Sequence, residues 1–153
     1  MDTNPALQPG PLVKGAIFGS YAGCLILIAS IELREGVWPD FLPELWALPI
    51  ILLIYGGIAS IFAAFGLIVF GMPIALVFGR RATAWPFLPL VIGWAGLAGH
   101  LALSIIATGP VGWSPGDIAR GPGALFGVTC AVFYRGYLKR AWTDQARPTA
   151  LPD

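Results

Sequence analysis

From Trp46 to Gly79 the chain carries no charged side chain, and Arg80 and Arg81 then end the run. A bilayer core of roughly 30 Å needs about 20 apolar residues in a helix. This run exceeds that length, so it predicts a membrane-crossing helix with a further segment attached. Three other apolar stretches flank it. Together they predict four spans, at about residues 14–31, 48–72, 85–107 and 122–141.

The ends and connections read differently. Residues 1–13 hold Pro5, Pro9, Gly10 and Pro11, which predicts a short, largely irregular tail. The loop after the first span holds Glu32, Glu35, Asp40 and Glu44 against Arg34, with Trp38, Phe41 and Trp46 interleaved. Such rings favour the headgroup level, and the loop is expected to lie along the interface. Pro73 follows Gly71 in the second span, so the helix is expected to kink or break there, with residues 74–79 reaching or lining the headgroups. Residues 108–121 read as a Gly- and Pro-rich connection, and 143–153 as a polar tail.

Within each span small residues recur at helical spacing. Gly15, Gly19 and Gly23 stack on the first, and Gly56, Ser60 and Ala64 on the second. Gly93, Gly96 and Gly99 mark the third, and Gly123, Gly127 and Ala131 the fourth. Ridges of this kind let helix backbones approach closely in lipid, where no hydrophobic effect drives helices together. The expected fold is an all-α, four-helix transmembrane bundle over residues 14–142.

Composition agrees with that class. The chain is 57% hydrophobic and 11% charged, against about 25% charged in soluble domains. A net charge of +1 without a long basic run gives no footprint for nucleic acid. Positive residues favour the cytoplasmic side. With four spans, Lys14, Arg80, Arg81, Arg135, Lys139, Arg140 and Arg147 share one side, and Arg34 and Arg120 the other. Both termini are therefore expected in the cytoplasm. Arg135 and Lys139 follow the short charge-free part of the fourth span and are expected to snorkel to the headgroups. A signal peptide fits poorly, because the apolar stretch is long and Ala29-Ser30 makes a weak cleavage site. Abundant Ala, Gly, Pro and Arg suggests a bacterium with GC-rich DNA.

Candidate chemistry is sparse. His100 is the sole histidine. It offers a haem ligand, a proton relay or a quinone contact, against a neutral imidazole bonded to Ser104, Thr129 or Tyr55. Cys24 and Cys130 fall at similar depth and read either as a redox pair or as small buried hydrophobes. Trp38, Phe41 and Trp46 form either a partner-binding ridge or an aromatic belt. Arg80, Arg81, Arg135, Lys139 and Arg140 set orientation and offer contacts to anionic headgroups. No Asp or Glu lies between Val13 and Ile31 or between Ser60 and Ala107, where a coupled transporter needs a midplane carboxylate. No cofactor, metal site or catalytic constellation is expected.

The series Phe-Gly-Met-Pro-Ile-Ala-Leu-Val-Phe-Gly-Arg-Arg (residues 70–81), the glycine-rich third span and the Gly-xxx-Gly fourth resemble a group of small four-span proteins of alphaproteobacterial inner membranes. The resemblance covers roughly residues 50–140. That group has no established activity, so it implies a fold and no functional residue. The expected role is a non-catalytic accessory or assembly subunit of a larger inner-membrane complex, with lipid and other integral membrane subunits, or further copies, as partners. The alternative is a small homo-oligomeric transporter or channel.

Overall fold

The computed structural model describes residues 4–35, 46–106, 114–116 and 121–146. Trp38, Phe41, most of the 108–121 connection and the outermost tails lie outside the described residues. Among the described residues there are four long helices: α1 (Pro9–Glu35), α2 (residues 48–78), α3 (Leu88–Ile106) and α4 (Pro122–Gln145). Three helical stretches among them are long and apolar enough to cross a membrane: Pro9–Arg34, Leu48–Thr83 and Trp85–Ser104. α4 has 24 residues. Its charge-free part stops at Tyr134, and Arg135, Lys139 and Arg140 lower its hydropathy beyond that point.

The N-terminus differs from expectation. Helix begins at Pro9, ahead of residue 14, because prolines in a first turn forfeit no intrahelical bond. Before it, Pro5–Leu7 form a 3₁₀ turn. The Asn4 side chain accepts from the Ala6 amide at 3.1 Å and caps that turn. Pro5 and Ala6 are buried rather than loose. Ala6 joins a core cluster with Leu12, Ala16, Leu67, Ala75, Cys130, Tyr134 and Leu138. The N-terminal turn thus packs against the close of α2 and of α4.

α2 does not break at Pro73. Residues Leu67–Gly71 form a π-helical turn, and α-helix resumes over Met72–Phe78. Pro73 has no amide proton for the carbonyl four residues back, and its ring would press on that carbonyl. A widened turn just upstream absorbs both problems and keeps the helix continuous. A second π-helical turn covers Leu52–Gly56. The helix stops at Gly79, whose φ of +52° lies in the left-handed region that glycine enters without penalty.

Small residues set the helix pairs. Gly15 faces Tyr134, Gly19 faces Cys130, and Gly23 faces Phe126 and Thr129, so α1 and α4 run antiparallel in close contact. Gly99 meets the backbone of Gly123 and Gly127, and Gly127 also meets the Ala95 carbonyl, which joins α3 to α4 as tightly. Gly56 packs on the Tyr21 ring and joins α2 to α1. α2 and α3 approach at Phe70 and Trp94, whose rings meet edge to face at 6.3 Å. Trp94 Nε1 donates to the Phe70 carbonyl at 3.3 Å. Elsewhere a cleft separates the two helices.

Candidate functional site

The cleft between α2 and α3 has a volume of about 640 Å³, within the usual range of ligand pockets. Its walls come from all four helices, with α4 as floor. The lining is almost wholly apolar: Ile58, Phe62, Trp94, Ala98, Phe126 and Ala131 are representative. Why it stays open follows from the residues. α4 presents glycine and alanine to its neighbours and draws them in, whereas α2 presents isoleucine and phenylalanine to α3. Tyr55 and Phe62, both on the wall, remain 64% and 54% exposed.

One end of the cleft leads to a cationic mouth. There a second cavity of about 560 Å³ is lined by Arg80, Arg81, Thr83, Ala84, Trp85, Arg135 and Lys139. Thr83 and Arg135 line both cavities. The turn that builds this mouth starts at Gly79 and continues as a 3₁₀ helix through Thr83. Thr83 Oγ1 donates to the Arg80 carbonyl at 2.8 Å, and the Ala84 amide to the Arg81 carbonyl at 2.9 Å. Arg135 donates from a terminal guanidinium nitrogen to the Thr83 carbonyl at 2.8 Å. The expectation for Arg135 is a reach toward the headgroups, and the structure adds a partner for it within the chain. It is tied across to the turn, because a carbonyl at the end of a 3₁₀ helix has no backbone partner to satisfy it. Its Nε is buried without a partner, as is the hydroxyl of Tyr134. Tyr134 is only 5% exposed.

The other sequence-selected residues distribute as follows. Arg80, Arg81, Arg135 and Lys139 gather at the mouth, but Arg140 does not. Its guanidinium lies 5.8 Å from the Tyr137 ring centre, and Lys14 Nζ lies 6.0 Å from the same ring. His100 is buried, 2% exposed, one helical turn beyond Gly96 on the side of α3 that faces α4. It is not part of the cleft wall. The hydroxyls of Ser104 and Thr129 donate to carbonyls of their own helices. Tyr55 stands on the α2 wall. Cys24 and Cys130 are both free thiols on the wall. The neighbour of Cys130 Sγ is Ser20 Oγ at 3.8 Å, with either atom as donor. Gly15, Gly19, Gly23, Gly56, Gly96, Gly99, Gly123 and Gly127 all sit at helix contacts. The Ser60 hydroxyl bonds back to the Gly57 carbonyl at 2.7 Å. Trp46 is 74% exposed just before α2.

Sequence reasoning missed Thr83, Trp85 and Tyr134. Each had a signal. Thr83 and Trp85 follow the arginine pair directly, and Tyr134 precedes Arg135 at the end of the charge-free run. Chemically the site offers apolar contact along its length and positive charge at one end. Among the described residues, no three His, Cys, Asp or Glu side chains come together. No family model matches the chain, and no curated or solved protein is significantly similar to it.

Proposed function

We propose that this chain is a non-catalytic accessory or assembly subunit of a larger complex in a bacterial inner membrane. In this reading all four helices cross the bilayer and both termini are cytoplasmic. The excess of Lys and Arg at the ends joined by the 79–87 turn supports that orientation. The likeness of residues 70–81 and the third and fourth helices to small alphaproteobacterial inner-membrane proteins supports the compartment.

The observation that carries the reading is a set of helical glycines that no neighbour approaches, Gly57 and Gly66 on α2, Gly93 on α3 and Gly136 on α4 among them. A side chain at Gly57 on α2 or at Gly93 on α3 would meet nothing within 4 Å. Glycine inside a helix costs roughly 0.5–1 kcal/mol relative to alanine. The glycines facing α4 offset that cost by close approach, but these two gain nothing from their own bundle. Gly93 lies between Leu90 and Leu97, and Gly57 between Leu53 and Ile61, and all four of those apolar side chains are well exposed. Helices of another integral membrane chain would use such faces.

The test is gentle extraction of the tagged protein from its native membrane, followed by mass spectrometry. Stoichiometric membrane partners are expected. A protein that runs alone, with nothing recovered by cross-linking, defeats the reading. The transporter alternative is the weaker one, since the cleft is apolar. It requires solute flux in liposomes holding only this chain, lost on changing His100 or Pro73.

A further inference from the structure

The cleft and its cationic mouth are adjoining cavities that share Thr83 and Arg135 in their walls. Charge at the mouth is of one sign. Arg80, Arg81, Arg135 and Lys139 line it, and no carboxylate among the described residues does. Trp85 stands beside them, a residue type that favours the headgroup level. Beyond the mouth the cleft runs along α2 from Ala75 to Ile51. That is about 36 Å at 1.5 Å per residue, more than the depth of one bilayer leaflet.

Arg135 stands at the junction of the two cavities, where its terminal guanidinium nitrogen donates to the Thr83 carbonyl at 2.8 Å and anchors the cation between them.

We propose that these adjoining cavities bind one anionic phospholipid. Its phosphate sits among Arg80, Arg81, Arg135 and Lys139, and its acyl chains lie in the cleft between α2 and α3. Charge complementarity selects the occupant. An apolar partner helix would fill the cleft but leave four cations unanswered. A soluble phosphate would answer the cations but leave the apolar walls bare. Arg135 supplies oriented donors, and the two exposed arginines and Lys139 supply charge. The site does not depend on any protein partner.

The test uses the full-length protein in detergent, titrated with phosphatidylglycerol or phosphatidylcholine of the same chains and read by native mass spectrometry. One phosphatidylglycerol per chain is expected, bound at least tenfold tighter than phosphatidylcholine. Two variants probe the two halves. R80Q/R81Q removes charge from exposed positions and should erase the preference between the lipids. A98F, or A59F if the first melts early, fills the cleft and should remove phosphatidylglycerol binding while thermal stability holds. Equal affinity for both lipids overturns the proposal. So does phosphatidylglycerol binding that survives a folded cleft-filling variant, which would mark headgroup contact alone. A photo-cross-linker at position 98 that captures a partner protein, and not lipid, in native membranes also overturns it.

Discussion

Two seams of this bundle meet the same problem with opposite results. Along α3 and α4, Gly99, Gly123 and Gly127 bring backbone against backbone, with Ala95 and Ala124 in support. Along α2 and α3, isoleucine, phenylalanine and tryptophan face each other, and the helices touch at Phe70 and Trp94 around an open cleft. Both seams are apolar. In lipid, apolarity does not distinguish them, because acyl chains are as good a partner as leucine. What separates them is how near the backbones can come. Dispersion falls off steeply with distance, so small residues close one seam and bulky ones hold the other apart.

The comparison can be broken most forcefully at Gly127. A valine there would drive its Cβ into the Ala95 carbonyl, a backbone atom with nowhere to go. We expect G127V to lose ~3 kcal/mol or more, read as a large fall in the midpoint of thermal unfolding in detergent. An unchanged midpoint would show that the tight seam does not hold the fold. Next comes Arg135. R135M removes a charged hydrogen bond that ties α4 to the 79–83 turn, and should cost about 1.5–3 kcal/mol. Proteolysis between residues 79 and 87 should become faster, and an unaltered rate would contradict that role.

Gly56 gives a smaller effect. Its nearest neighbours are carbons of the Tyr21 ring at 3.1 Å, a side chain that can shift. G56A should change stability by about 1 kcal/mol or less. A loss as large as that of G127V would erase the distinction between rigid and yielding contacts. Smallest of all are G57A and G93A. Neither new methyl meets anything in the chain. Each should stabilise the isolated protein by ~0.5–1 kcal/mol while weakening recovery of a partner complex. Destabilisation of the isolated chain would mean these glycines serve its own fold.

The helical class and the positions of the long apolar segments were legible because hydrophobic runs and glycine spacing are local signals. Glycines at 15, 19 and 23, at 96 and 99, and at 123 and 127 do meet neighbouring helices, whereas Gly93, read with the α3 ridge, meets nothing within 4 Å. What escaped depends on tertiary company. Pro5, Pro9 and Pro11 signal irregularity when read alone. Asn4 and the buried surface of Leu138 make them a capped turn and a helix start. Pro73 reads as a break, but a π-helical turn is set by five residues and their neighbours, and single residues do not announce it. Arg135 reads as a free cation until the Thr83 carbonyl is placed opposite it. The cleft was the least legible feature. Bulky residues on α2 and α3 mark a buried helix face as readily as a cleft wall, and only the placement of α4 against both tells the two apart.

The central place of α4 also orders events in time. α1 and α3 each pack chiefly on α4 rather than on one another. Yet α4 is the last of the four to be synthesised. While the ribosome is still translating the residues before 122, α1 and α2 can pair, and α3 has its contact with α2 at Phe70 and Trp94 but not its larger one with α4. The larger contacts of α1 and of α3 therefore wait for that one helix. Pulse-chase proteolysis should accordingly show protection of α3 only after α4 has emerged.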